Sequence, residues 1–375
     1  GASALLSQNF ASVNNEFEAN VAIGNKAAYS NTTGNMNIVI GTAAKYTDDT
    51  GNQTTAIGHQ AMYSQNMASS VTTANVGVGH KVGYYNVTGT NNTWLGYQAG
   101  SGASGQSNSS NTGIGYSALT SITTGGSNTA VGYQALDAIT SGAGNVALGR
   151  GTLGALNTGT SNVAIGNESL SSLTGTMVGL TAVGYDSLKS LTSGAENTAI
   201  GYETLKTHTT GVRNIAIGYE AMNDTDAGST SSDSDDNTFI GAYAGSGTWT
   251  NVKSEFNVGV GNYTFNGNMA GGNYNTALGY GGLRSITTAD YNVGIGTGAG
   301  DALTTGGSNI ALGYDALGEH TTGTRNIAIG HGAMNSTDAG STSLGSNDNV
   351  FMGFDAGGGT WADAASNFNI GIGNY

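Results

Sequence analysis

The chain has 375 residues, of which 64 are Gly and none is Pro or Cys. Its net charge of −14 and its lack of a basic patch argue against binding to nucleic acid or to anionic membrane surfaces. The lack of Cys excludes disulfides, thiol catalysis and thiolate metal sites, and without an apolar run of about 18 residues we expect no membrane insertion.

A five-residue core of the form Asn-x-small-aliphatic-Gly recurs along the whole chain. It occurs in twenty copies, and the commonest spacing between its closing glycines is seventeen, while the remaining spacings are slightly longer. Such phased repetition is typical of a solenoid, in which each repeat forms one coil and additional residues form loops. The closing glycines are Gly24, Gly41, Gly58, Gly79, Gly96, Gly115, Gly132, Gly149, Gly166, Gly184, Gly201, Gly218, Gly241, Gly261, Gly279, Gly296, Gly313, Gly330, Gly353 and Gly373.

Each core predicts a short strand. In one copy, Thr129 and Val131 would face one side of the strand and Ala130 the other. Both sides are apolar, so we expect one to fill the solenoid interior and the other to pack against a helical turn or a second chain. Successive strands would pair in parallel at roughly 4.8 Å, and twenty coils would then form a rod of about 100 Å.

The segment after the core Gly has a helical spacing. Leu119 and Ile122, like Leu136 and Ile139, are three residues apart, which predicts a short helix or 3₁₀ turn, with a second bent strand as the alternative. A Thr-Thr/Ser-Gly segment then closes the coil, and we expect its Gly to adopt a left-handed conformation. This Gly is Gly34, Gly125, Gly142, Gly159, Gly194, Gly211, Gly306 or Gly323 in different copies.

The sequence therefore predicts a β-solenoid, of the parallel β-roll or β-helix type, as a single continuous array over residues 1–375. Trp94, Phe239 or Phe351 replaces the usual small residue of the strand in three of the copies. The loop-bearing variant coils lie near 85–110, 219–260 and 331–366.

Equivalent residues should stack along such an array. The glycines allow close approach of successive backbones, and stacked Asn side chains can bond to each other and to turn backbones. These predicted structural ladders include Gly115, Gly132, Gly149 and Gly166, and Asn128, Asn145 and Asn162. Tyr follows the core Gly in eight copies and should form a ladder too, either for packing alone, which we favour, or as a stripe that contacts glycans or partners. The candidate contact residues are Tyr116, Tyr133, Tyr185, Tyr202 and Tyr219.

One segment gathers five carboxylates: Asp224, Asp226, Asp233, Asp235 and Asp236. Such oxygen ligands are suited to Ca²⁺. The Gly-x-Gly-x-Asp spacing of calcium-binding rolls is absent, so a solvated loop is the favoured interpretation. No other metal site and no cofactor are predicted.

The five histidines are expected to be structural. His208 and His320 replace an apolar residue of the repeat, no Ser/His/Asp set recurs, and there is no HExxH motif. A polysaccharide lyase or hydrolase on a β-helix would need a carboxylate or basic cluster on one face, and the sparse charges do not supply one. We therefore predict that the chain is not an enzyme.

The cores Asn20–Gly24, Asn162–Gly166 and Asn197–Gly201 resemble the head repeats of the YadA-like trimeric autotransporter adhesins, and they are similar to repeats of some phage tail fibres. The resemblance covers nearly the whole chain and is specific to the five-residue core. In the adhesins it implies a trimeric, left-handed parallel β-roll displayed outside the cell for attachment. In the phage fibres it implies a receptor-binding or shaft role.

These patterns favour a structural fibre or filament subunit, extracellular, on a cell surface or on a virion, that acts as a stiff spacer. Its partners would be copies of itself, as a trimer or an end-to-end filament. The alternative is a carbohydrate- or cell-binding adhesin that contacts surface glycans. A third hypothesis, an ice-binding solenoid using rows such as Thr123 and Thr124, is disfavoured because the varied coil lengths break a flat array.

Overall fold

The structure is a computed structural model that describes residues 3–5, 19–69, 71–225, 234–250, 252–337, 345–359, 361 and 366–374. The chain divides into two compact units, unit 1 (Gly1–Leu180) and unit 2 (Thr181–Tyr375). Each unit is a parallel β-solenoid in which every coil contributes one three-residue strand to an all-parallel sheet. The predicted fold class is confirmed.

The strands of the two units follow the core repeats in chain order. Unit 1 contains β1 (Val21–Ile23), β2 (Ile38–Ile40), β3 (Thr55–Ile57), β4 (Val76–Val78), β5 (Thr93–Leu95), β6 (Thr112–Ile114), β7 (Thr129–Val131), β8 (Val146–Leu148) and β9 (Val163–Ile165). Unit 2 contains β10 (Thr181–Val183), β11 (Thr198–Ile200), β12 (Ile215–Ile217), β13 (Thr238–Ile240), β14 (Val258–Val260), β15 (Thr276–Leu278), β16 (Val293–Ile295), β17 (Ile310–Leu312), β18 (Ile327–Ile329), β19 (Val350–Met352) and β20 (Ile370–Ile372).

The strand register is the same whatever the length of the coil. In unit 1, Ala130 of β7 pairs with Ala147 of β8, across a coil of the commonest length. In unit 2, Ala216 of β12 pairs with Phe239 of β13 in the same way, although a loop makes the coil between them longer. The longer coil therefore leaves the strand register unchanged, as the sequence predicts.

The middle residue of each strand, which is Ala or Gly in most coils, faces the interior of the solenoid. Ala130 is fully buried, as are Leu136 and Ile139 of the same coil, whereas Leu148 on the outer face of β8 is 46% exposed. Because each coil contains so few residues, its interior has room for Ala beside Leu and Ile but not for a second row of large side chains. The outer face is not covered by a helical turn of the described residues, which contain no helix.

The segment after the core Gly is neither a helix nor a second strand, so that prediction was wrong. Gln134 and Leu136 have φ values of 53° and 51°, in the left-handed region, whereas Ala135 between them does not. This alternation directs backbone groups to neighbouring coils: Gln134 N–H donates to the carbonyl of Tyr116 at 2.9 Å, and Leu136 N–H to that of Thr152 at 3.0 Å. A helix would instead direct these groups along the same segment.

The i, i+3 spacing has a different cause from the predicted helix. Leu136 and Ile139 both point into the interior across a tight turn, which is closed by the Ile139 N–H and the Leu136 carbonyl at 3.4 Å. A helix and a tight turn both bring residues i and i+3 to the same side, so the spacing alone does not distinguish them.

The glycines of the Thr-Thr/Ser-Gly segment are required by close packing, and all but one of them have an ordinary negative φ. Of the eight glycines predicted to be left-handed at this place, only Gly194 has a positive φ, of 119°. At Gly142, an added Cβ would overlap the carbonyl oxygen of Gly159 and lie 2.8 Å from Ile139 Cδ1. The core glycines carry both constraints: Gly132 has a φ of 145°, and a Cβ there would overlap the carbonyl of Gly149.

Candidate functional site

The residues after the core Gly form an exposed aromatic row along unit 1. His59, His80, Tyr97, Tyr116 and Tyr133 stack successively, with ring centroids 5.0–5.2 Å apart and interplanar angles of 5–15°. The spacing follows from the parallel pairing of strands, which sets successive coils slightly less than 5 Å apart. Two of the predicted contact residues, Tyr116 and Tyr133, thus lie directly over each other.

Unit 2 contains a second row at the same place in the coil. Tyr185, Tyr202 and Tyr219 stack with centroids 5.3 Å apart, and the row then changes to an edge-on contact between Tyr219 and Tyr243 at an angle of 66°. The remaining predicted contact residues are therefore stacked as well. Glu220 hydrogen-bonds to Tyr219 and raises the pKa of its phenol above the ordinary value for Tyr.

Sequence reasoning missed two further aromatic rows. Tyr29, Tyr46, Tyr63 and Tyr84 stack at 5.0–5.1 Å in the first four coils of unit 1. A shorter row of Phe256, Tyr274 and Tyr291 occurs in unit 2, at 5.0 Å. The signal was present in the sequence, because these aromatic residues are separated by the same intervals as the glycines of their own coils.

Stacking restricts what the aromatic rows can bind. Tyr116 is 48% exposed and Tyr133 is 49% exposed. Tyr116 nevertheless has one ring face against Tyr97 and the other against Tyr133. A sugar that packs on an aromatic side chain needs an open ring face, and a ring within the row offers only its edge and hydroxyl.

The outer face of the sheet is apolar and carries no charge in either unit. The first and third residues of all twenty strands are Thr, Val, Ile, Leu or Met. Several of these side chains are strongly exposed, including Ile23 at 57% and Leu148 at 46% in unit 1, and Leu278 at 49% in unit 2. A contiguous exposed apolar face of this kind is uncommon on monomeric soluble proteins.

The Asn row is buried and hydrogen-bonded from coil to coil, except where Thr54 and Leu180 replace Asn. Asn128 Nδ2 donates to Asn111 Oδ1 at 3.1 Å and to the Gly142 carbonyl at 2.9 Å. Asn145 repeats this arrangement with its backbone N–H and its Nδ2, which both donate to Asn128 Oδ1 at 3.0 Å. The predicted residues Asn128, Asn145 and Asn162, with Gly115, Gly132, Gly149 and Gly166, therefore stack coil over coil and hold the structure together.

The carboxylates considered for Ca²⁺ have protein partners where they are described. Asp226 and Asp233 lie outside the described residues. Asp224 accepts a hydrogen bond from Thr248, Asp235 accepts one from the Val212 N–H, and Asp236 forms a two-bond ion pair with Arg213 at 2.6 and 2.8 Å. In the described ranges, no group of three or more His, Asp or Glu is arranged to hold a metal ion.

Arg213 also sets the charge state of its partner. Its guanidinium holds the pKa of the Asp236 carboxyl below the ordinary value for Asp. The same geometry recurs between Arg325 and Asp348, at 2.6 and 2.8 Å, in the related coils of β18 and β19. These pairs connect neighbouring coils beside the longest insertions.

The buried histidines occupy interior places of their coils. His208 is fully buried, and its Nδ1 lies 3.1 Å from Thr225 Oγ1. Nδ1 of His320 lies 2.9 Å from Thr337 Oγ1, and its Nε2 lies 3.1 Å from Asn326 Nδ2. Hydroxyl and amide groups of this kind provide polar partners for a buried imidazole, which agrees with a structural role.

No protein-family model matches the chain, and no curated protein is significantly similar to it. Among the residues that the structure describes, no helix has the length and apolar character needed to cross a bilayer.

Proposed function

We propose that this chain is a structural fibre or filament subunit that acts as a stiff spacer outside the cell or on a virion. The observation that carries the proposal is that, within each unit, each coil is joined to the next at several places around its circumference. In one coil, Thr129 N–H donates to the Asn145 carbonyl at 2.8 Å and Leu136 N–H to the Thr152 carbonyl at 3.0 Å. Bending such a stack would strain all of these bonds together.

The buried rows contribute to the same mechanical role. Asn side chains connect neighbouring coils through most of each stack, and buried Ala, Leu and Ile side chains lie beside them. The strand register is the same from coil to coil within each unit, which suits a spacer better than a site that acts on a small molecule.

The first experiment is electron microscopy of the purified chain, together with immunogold labelling of intact cells or virions from its source. We expect elongated particles of uniform width and label on the outer surface. Compact particles, or label confined to the cell interior, would contradict the proposal.

The proposed partner is a second copy of this chain, bound through the charge-free outer face of the sheet. A copy presents rows with the same coil spacing, so side chains of the two faces can interlock along their length. The eighteen outward side chains of unit 1 would offer roughly 1,000 Å² in total, against about 800 Å² per partner in a standard interface.

Self-association can be tested by comparing two variants, one with a charge introduced on this face and one with a charge introduced away from it. We expect Leu148→Lys, on the outer face, to weaken association by at least tenfold in sedimentation experiments. The matched control is Ser141→Lys, at an exposed turn of the preceding coil. Equal association of the two variants would show that copies do not meet through the sheet.

The adhesin alternative is supported by the exposed phenol edges of the aromatic rows. It predicts binding on a glycan array that is lost when Tyr116 and Tyr133 are both changed to Phe, which removes the hydroxyls and keeps the stacking. A spacer without recognition of its own predicts no specific glycan binding by the original chain.

A further inference from the structure

The second coil of unit 1 contains a buried ion pair where six other coils of the repeat have two aliphatic residues. Lys45 occupies the place of Leu136 and Asp48 that of Ile139, three residues apart. Both side chains are fully buried, and Lys45 Nζ lies 2.8 Å from Asp48 Oδ2. A buried ion pair is less favourable than well-packed aliphatic residues in such a position, so the packing of the coil does not explain it.

The two oxygens of the Asp48 carboxylate have different surroundings. Oδ1 accepts hydrogen bonds from the Gly51 N–H at 3.1 Å and the Met67 N–H at 3.3 Å. Oδ2 is buried without a backbone donor, and its close polar neighbour is Lys45 Nζ at 2.8 Å. Nζ itself donates to the Gly51 carbonyl at 3.1 Å.

We propose that Lys45 and Asp48 condense into an intramolecular isopeptide bond. A proton moves from the ammonium to the carboxylate, and the neutral amine then attacks Cγ of Asp48. The new bond joins Nζ to Cγ, and the bond between Cγ and Oδ2 breaks. Of the three ammonium hydrogens, one stays on the amide nitrogen and two leave with Oδ2 as water, so the step needs no oxidant or other reactant.

The hydrogen bonds already present suit the product. The amide N–H would keep the Gly51 carbonyl as its acceptor, and the amide oxygen, the present Oδ1, would keep the Gly51 and Met67 N–H donors. The oxygen that leaves is the one without a backbone hydrogen-bond donor. Condensation also removes two charges from an interior in which each is costly.

The environment of the amine favours the reaction. Burial lowers the pKa of Lys45, although Asp48 and the nearby Asp49 oppose this effect, and a larger fraction of the nucleophilic amine results. Ala44, Ala61 and Met62 around the pair are buried as well, so water that could hydrolyse an intermediate is excluded.

Mass spectrometry of the denatured full chain tests the proposal. We expect an intact mass lower than that of the sequence by one water molecule, resistance to tryptic cleavage after Lys45, and fragment ions in which residues 45 and 48 remain joined. The full sequence mass together with cleavage after Lys45 would show a simple ion pair and overturn the proposal.

The matched control is the double variant Lys45→Leu/Asp48→Ile, which places the common aliphatic pair of the repeat in this coil and should fold. Its mass should equal that of its sequence. If the double variant also lost one water, the loss would come from another site, and the proposal would be wrong. Asp48→Asn should reach the same product mass as the original chain, with ammonia as the leaving group instead of water.

Discussion

Replacement of Trp94 by Ala should open the interior of unit 1 at β5. Trp94 is 1% exposed and stands where most strands have Ala or Gly. Its ring occupies space left by two glycines: an added Cβ on Gly100 would overlap the ring, and one on Gly113 would lie 2.7 Å from its Cε3 atom. The large residue is thus compensated by two small ones.

The magnitude follows from the volume removed. Trp→Ala leaves a cavity of roughly 140 Å³, and at about 24 cal/mol per Å³ the loss is about 3 kcal/mol, near the lower end of the 3–5 kcal/mol typical of this change. Because long repeat arrays do not unfold in a single two-state step, this loss should appear locally. A local destabilisation of about 3 kcal/mol increases amide exchange by roughly a hundredfold.

A compensating variant makes the test specific. Trp94→Ala combined with Gly100→Leu and Gly113→Ala reproduces the interior of the common coil. Leu is compatible with the backbone at residue 100, because Gly100 has a φ of 58° and Leu136 at the equivalent place has a φ of 51°. We therefore expect the triple variant to recover most of the loss.

The assay is hydrogen exchange followed by mass spectrometry of peptides from coils 4 to 6, with peptides from unit 2 as internal controls. The single variant should lose protection there, and the triple variant should regain it. Equal protection in the single variant and the original chain, or no recovery in the triple variant, would refute the argument that interior volume is conserved.

Three further changes test the ladders, the turns and the ion pairs. Asn145→Leu should leave the Asn162 N–H without its acceptor, at a cost of about 1–3 kcal/mol, and unchanged amide exchange in that coil would contradict this. Gln134→Val should increase amide exchange in its own coil by the equivalent of about 1–2 kcal/mol, because a β-branched residue resists the left-handed region. Gln134→Gly should be nearly neutral, and equal exchange in the two variants would be inconsistent with that strain. Arg213 lowers the pKa of Asp236 in the folded chain. Their ion pair therefore stabilises the folded state above about pH 4, the ordinary pKa of Asp, and this stabilisation is lost as the pH falls through the lowered pKa. The protection of amides beside Arg213, relative to the intrinsic exchange rate at each pH, should fall over that acidic range in the original chain. It should not change over the same range in Asp236→Asn.

Much of the architecture was predictable because it repeats. A strand that recurs at one constant interval in most coils must pair with its own copies, so Ala130 over Ala147 and Asn128 over Asn145 follow from spacing alone. The stacking of Tyr116 on Tyr133 follows for the same reason. The row that begins at Tyr29 was equally accessible, but it continues through only the first four coils of unit 1, so it does not stand out from the general repeat.

The backbone of the turns was decided by tertiary structure. Gln134 and Leu136 are not residues that mark a left-handed conformation, and they adopt it because their N–H groups bond to coils on either side. Conversely, the sequence around Gly142 predicts a left-handed glycine. The structure requires Gly there for a different reason, because a side chain would overlap the carbonyl of Gly159 in the next coil. Both outcomes depend on contacts with adjacent coils, which local propensity does not contain.

The sequence by itself thus determined the period, the strands and the stacking of equivalent residues, because in-register pairing leaves each residue above its own copy. Only the tertiary structure decided which strand face is interior, how the turns bond, and that Lys45 and Asp48 meet in a dry column. The physical reason is that these features depend on the space and hydrogen-bond partners offered by adjacent coils, and a repeat pattern specifies neither.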